Sequence, residues 1–175
     1  RIDNENHNIY SILGMISHIN DFPKDLEGKK VVVVGGGAVG LDVVEFFADR
    51  NADISIVEMM DQIGRDLDPV SKNDTKTMMK KHNVHQLTKT ALLEVKDSSF
   101  LVRGDGEPYE LPFEYGFVCL GMRAQGQLYQ NLTEEFSSED VEIMNIGDSQ
   151  RARRIIDGTQ EGRNILTILE QKGYF

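Results

Sequence analysis

Three glycines and one carboxylate hold the spacing in this chain that bears on chemistry. Gly35, Gly37 and Gly40 fill the glycine positions of G-x-G-x-x-G within VVVVGGGAVG, and Glu58 follows 18 residues after Gly40. Gly35 lets the chain turn tightly, Gly37 clears side chain from the backbone, and Gly40 lets a helix begin close against a strand. Bare N–H groups at such a helix start, with the positive end of the helix dipole, hold a diphosphate without any lysine. An acid placed as Glu58 is accepts hydrogen bonds from both hydroxyls of a ribose and repels a 2′-phosphate. The constellation therefore favours NAD(H) over NADP(H). FAD uses the same fingerprint, and these residues alone leave that alternative open.

Such a site needs a strand, a helix and a second strand to position it. The four valines 31–34 suit a parallel strand buried on both faces. From Val39 the period becomes helical, with Val43, Val44 and Phe47 on one stripe with Gly40. Residues 54–57 predict a second buried strand that ends on Glu58. Asp68 and Pro69 predict a helix start, and Asn83 closes that helix in the left-handed conformation. A third strand is expected at 84–87. Short runs at 91–95, 100–103 and 109–113, parted by turn residues, predict an antiparallel meander. Residues 115–120 return as an apolar strand before Gly121. Ahead of this order, residues 9–19 leave strand or short helix open, and 21–28, with Pro23 and Gly28, predict a linker. Near the other end, Ile155, Gly158, Gly162, Ile165, Leu166 and Leu169 fall on one face of a helix expected over 151–172.

Composition narrows the partners. Across 175 residues there are 19 Lys and Arg against 29 Asp and Glu, a net charge of −10, which argues against nucleic acid or an anionic membrane. The apolar fraction of 39% is ample for a core, and no run reaches the length of a membrane span. One cysteine, Cys119, excludes an internal disulfide and a cysteine-rich metal site, and its apolar run makes it a buried strand residue. His82 and His85 have no third ligand at a useful spacing, so no metal is expected. The composition fits a cytoplasmic protein, and the opening Arg1 suggests a piece of a longer chain.

With these residues in this order, the chain resembles the NAD(P)H-binding domain of the FAD-dependent pyridine nucleotide–disulfide oxidoreductase superfamily. VVVVGGGAVGLDVVEFF is similar to its glycine signature, with Asp42 where glutamate is usual, and FVCLGMRA is similar to the stretch that closes the domain. EIMNIGDSQRARRIIDGTQEGRNI resembles the segment that holds FAD, and it looks most like the NADH:flavin oxidoreductases related to 2,4-dienoyl-CoA reductase. The resemblance implies an α/β, Rossmann-like parallel sheet with a β-meander crossover, plus flanking remnants of an FAD-binding domain. It divides the chain into a flanking segment and linker (1–28), an NAD(H)-binding domain (29–124) and a return segment of an FAD-binding domain (125–175).

The resemblance also implies roles. The loop of Gly35, Gly36, Gly37, Ala38, Val39 and Gly40 would hold the pyrophosphate, Glu58 the adenosine ribose, and Met59 or Met60 the adenine. Asp42 and Val39 would lie towards the nicotinamide, Gly121 beside the dinucleotide, and Asp148 on the ribitol of FAD. The glycine loop for the ADP half of FAD has no counterpart between residues 1 and 28, so FAD would find an incomplete site. Partners would be the missing FAD domain and an FMN barrel of a parent chain. No acid–base pair or nucleophile is expected, because hydride chemistry belongs to the cofactor. No tyrosine has lysine four residues on, as a short-chain dehydrogenase requires, and Leu41 and Asp42 follow Gly40 where a P-loop needs Lys and Ser or Thr. A SAM-binding domain and a non-enzymatic NAD(H)-sensing module remain the alternatives; the meander argues against the first.

Overall fold

The structure, a computed structural model, describes residues 2–139 and 141–174. It divides into two units, one reaching to Gly121 and one beginning at Met122. In the first, β1 (Ile9–Tyr10), α1 (Ile12–Ser17), β2 (Lys30–Val34), α2 (Ala38–Ala48), β3 (Asp53–Val57), α3 (Pro69–Lys81) and β4 (His85–Leu87) are followed by three strands. These are β5 (Ala91–Val95), β6 (Ser99–Arg103) and β7 (Tyr109–Pro112); β8 (Tyr115–Val118) then returns to the main sheet. That sheet has the order β1-β8-β2-β3-β4 with every pairing parallel, and β5-β6-β7 form a separate antiparallel sheet.

The valines of β2 explain why the layers stack as they do. Side chains alternate faces along a strand. Val31 and Val33 join Val43, Val44 and Phe47 of α2, whereas Val32 and Val34 join Phe100 and Val102 of β6. All four are at most 2% exposed. One strand thus serves two cores, helices on one face and meander on the other. Burial of each such side chain contributes roughly 1.5–3 kcal/mol.

The meander approaches the sheet closely at Gly116 of β8. A Cβ there would stand 2.7 Å from Cζ of both Phe100 and Phe113, whose rings are buried and packed on each other. Gly116→Ala is therefore expected to cost about 1–3 kcal/mol through overpacking. Denaturant unfolding should show a lower midpoint at unchanged slope. An unchanged midpoint would mean the rings can move aside freely.

In the first unit one expectation needs correction and one open choice is resolved. Residues 21–28 are not a bare linker. Phe22 and Leu26 are buried, and Phe22 packs against Tyr10, Phe46, Phe47, Tyr115 and Phe117. Phe22 before Pro23 and Leu26 before Gly28 are two isolated apolar residues among charged neighbours and carry no period, so their burial left no pattern to read. Residues 9–19, left open between strand and helix, form both: β1 extends the sheet beside β8, and α1 follows with the Ser11 hydroxyl capping it through the Gly14 N–H.

The second unit contains α4 (Gln127–Glu135), a short 3-10 turn at Gly147–Ser149, and α5 (Ile155–Gln171). On α5 the inward stripe runs through Gly158, Glu161, Gly162, Ile165, Ile168 and Leu169. Ile155 and Leu166, expected on it, are 91% and 67% exposed. A Cβ on Gly158 would lie 3.3 Å from the Cα of Gly147, so this glycine serves a close backbone approach to the turn. No helix among the described residues is long and apolar enough to cross a membrane.

Candidate functional site: a cleft at the carboxyl ends of β2, β3 and β8

β2 runs straight into the glycine loop, whose bends follow from atoms that leave no alternative. Gly35 has φ +110°, and a Cβ on it would meet the Cys119 carbonyl oxygen at 2.2 Å. A Cβ on Gly40 would fall 1.8 Å from the Gly35 carbonyl oxygen. α2 is thus pressed onto the strand end by the absence of two side chains. Gly37 differs, because a Cβ there would meet nothing within 4 Å and would project into open space. It is also the N-cap of α2 and supplies no side-chain cap, which leaves the amides of the first turn to other acceptors.

Those amides border a cavity of about 530 Å³ lined by Gly35, Gly37, Ala38, Val39, Glu58, Met59 and Gly121. Glu58 stands at the tip of β3 with its carboxylate bound by backbone: Gly36 N–H donates to Oε2 at 2.7 Å and Met60 N–H to Oε1 at 2.7 Å. Gly37 and Glu58 therefore share one cleft. Gly36 is buried beneath it, and Met60 turns back to Glu58 without lining the cavity. Asp42 lies one turn beyond Ala38 and lines a neighbouring groove between α2 and α3 with Glu45 and Asp74; Ala38 borders both. Partial desolvation raises the Asp42 carboxyl above its ordinary pKa. Asp148 belongs to the second unit, where its Oδ1 accepts from Arg153 N–H at 3.1 Å.

Several lining residues had no signal in the sequence. Thr90 reaches the cleft from the connection between β4 and β5, Ala91 and Leu92 from the start of β5, and Val34, Val57, Cys119 and Leu120 line it at or just beyond strand ends. Thr90 is buried, its N–H bonded to the Glu58 carbonyl and its hydroxyl to the Thr88 carbonyl. Burial pushes the Cys119 thiol up to about 11, so it meets the cleft as a neutral, apolar wall. No group of three or more His, Cys, Asp or Glu side chains among the described residues gathers to hold a metal ion. His85 instead lies 3.4 Å from Asp53. The cleft thus combines the uncapped first turn of α2, a backbone-held carboxylate at the tip of β3 and a largely apolar wall.

Known proteins resemble this chain in sequence and in fold. The chain is 26% identical over 167 residues to the metal reductase of Desulforamulus reducens, covering 78% of this chain and 24% of the relative. It is 25% identical over 161 residues to the NADH oxidase of Thermoanaerobacter brockii, covering 91% and 24%. It spans about a quarter of the length of these two relatives. Among solved structures, 2-naphthoyl-CoA reductase superposes with a TM-score of 0.68 at 19% identity, covering 90% of this chain and 23% of that one, a likeness of fold. Residues 2–145 match the family of pyridine nucleotide-disulphide oxidoreductases, and the chain, whose glycine loop, parallel sheet and meander have just been traced, belongs to it.

Proposed function

We propose that this chain is the NADH-binding portion of a flavin-dependent oxidoreductase and positions a nicotinamide for hydride transfer to FAD. One observation carries the proposal: the open space at Gly37 and the carboxylate of Glu58 face the same cleft at the start of α2. NAD(H) fits the residues present. Gly37 and Gly121 have open space where a Cβ would stand, so a ligand can lie against bare backbone at both. The first-turn amides of α2 would hold the diphosphate, with the helix dipole favouring its charge. Glu58 would accept from the ribose hydroxyls, and exposed Met59, with Met60 beside it, would offer apolar surface to the adenine. Val39 and Gly121 would flank the remainder, with Asp42 one turn further along α2 towards the nicotinamide.

The bound dinucleotide supplies the hydride, so the chain contributes position, polarity and exclusion of water. The protonated Cys119 keeps one wall of the cleft neutral. FAD does not fit this sequence completely. Asp148 would make one contact, and the sequence contains a single G-x-G-x-x-G, already assigned to NAD(H). The chain is therefore proposed to act within a longer cytoplasmic protein that supplies the rest of an FAD domain and an FMN barrel. The NADH oxidase relative, four times longer than the matched stretch, supports that proposal.

Titration of the 175-residue chain with NADH, NADPH and FAD tests it. NADH is expected to bind best, NADPH at least about tenfold more weakly through charge repulsion at Glu58, and FAD below stoichiometry. Equal affinity for NADPH would remove the role given to Glu58, and tight stoichiometric FAD would reassign the cleft.

A further inference from the structure

We infer that Glu58 is also a positioning residue that clamps the glycine loop into its ligand-ready shape before any ligand arrives, an inference that rests on the dinucleotide proposal above. The peptide groups on both sides of Gly36 are tied to the chain that follows β3. Its N–H donates to Glu58 Oε2 at 2.7 Å, and its carbonyl accepts from Gly64 N–H at 2.7 Å. Glu58 itself cannot drift. Its N–H donates to the Leu87 carbonyl at 2.9 Å, and its carbonyl accepts from Thr90 N–H at 2.9 Å. Met60 N–H holds Oε1 at 2.7 Å, and the Met60 carbonyl accepts from Lys89 N–H at 2.8 Å.

Residues 58–60 are thus cross-linked to 87–90 and present a fixed carboxylate to the loop. Space is tight there as well: a Cβ on Gly36 would lie 3.0 Å from Glu58 Oε2 and 3.1 Å from its Cβ. This gives Gly36 a task that the G-x-G-x-x-G spacing does not include. A carboxylate offers about four lone-pair sites. Two are used by these amides, which leaves two for sugar hydroxyls. The same group therefore shapes the diphosphate cradle and receives the sugar, and holding the loop beforehand lowers the ordering cost of binding.

Amide hydrogen exchange of the full chain without ligand tests the clamp, with core amides of β2 and β3 as the control for folding. In Glu58→Ala the Gly36 and Met60 amides should exchange at least about tenfold faster, the scale of losing a hydrogen bond to a charged group. Glu58→Gln, with one acceptor oxygen, should retain protection at one of the two. Gly36→Ala should push the carboxylate aside and speed exchange at Met60 while Glu58 is intact. Wild-type exchange at both amides in Glu58→Ala would overturn the clamp whatever NADH does. Exchange that depends on Glu58 in a chain that binds no NADH would support the clamp and overturn the proposed function instead.

Discussion

Gly40→Ala is expected to destabilise the first unit by about 3 kcal/mol or more and to abolish NADH binding with it. The added Cβ would stand 1.8 Å from the Gly35 carbonyl oxygen, 3.0 Å from the Gly35 carbonyl carbon and 3.6 Å from Val33 Cγ1. Two of these are backbone atoms of the residue directly after the strand that carries both cores, so no rotamer change relieves the overlap. α2 would have to lift away, and it brings Val43, Val44 and Phe47, all fully buried, out of register with Val31 and Val33. Gly37→Ser supplies the contrast. Its φ of −80° and ψ of −178° suit any residue, its Cβ meets nothing, and a serine hydroxyl caps a helix well. Stability should be retained or slightly raised, while the hydroxyl competes for the amides meant for the diphosphate and NADH affinity falls. Denaturant midpoints and NADH titrations of the two variants together would separate glycine needed for packing from glycine needed for binding. A stable Gly40→Ala would refute the close approach of α2, and a Gly37→Ser that binds NADH normally would move the diphosphate elsewhere.

The same two kinds of glycine explain how much could be read from residues alone. Local rules were legible. The valine run, the helical stripe of α2, the Asp68–Pro69 start of α3 and its close at Asn83, with φ 52°, each follow from neighbours within a few positions. The turn residues between β5, β6 and β7 placed the meander for the same reason. Features set by distant partners were not legible. Phe22 acquires its meaning from an aromatic cluster assembled from three other segments, β1, α2 and β8, and Leu26 from the same core. Thr90 and Leu92 enter the cleft because β4 pairs with β3 and the chain then crosses over the end of the sheet. None of the residues of α4 is buried, so this helix has no packed face of its own to be read. Family resemblance reached the glycine loop and the closing strand, but it was silent on the bond between Gly36 and Glu58, which links positions 22 residues apart.

Glu58→Arg is expected to reverse the cofactor preference, from at least about tenfold for NADH to at least about tenfold for NADPH. A guanidinium in place of a carboxylate exchanges repulsion for a charge-assisted pair with the 2′-phosphate. The swing will not come free of cost at this site. Arginine has no acceptor, so the amides of Gly36 and Met60 lose the oxygens that now hold them at 2.7 Å. NADH affinity should therefore fall by more than the loss of the ribose contact alone, and NADPH affinity should rise by less than the charge argument suggests. Glu58→Gln removes the charge and keeps one of the two acceptor oxygens, so it should narrow the preference without inverting it. Parallel titrations of the wild type and both variants with NADH and NADPH give the ratios directly, and salt should shrink the NADPH gain of the arginine variant. A ratio that is the same in all three would place the ribose away from β3. A ratio that reverses in Glu58→Arg while NADH affinity stays at the wild-type value would show instead that the glycine loop keeps its shape without the carboxylate, so that sugar recognition and loop geometry are separate properties of this cleft.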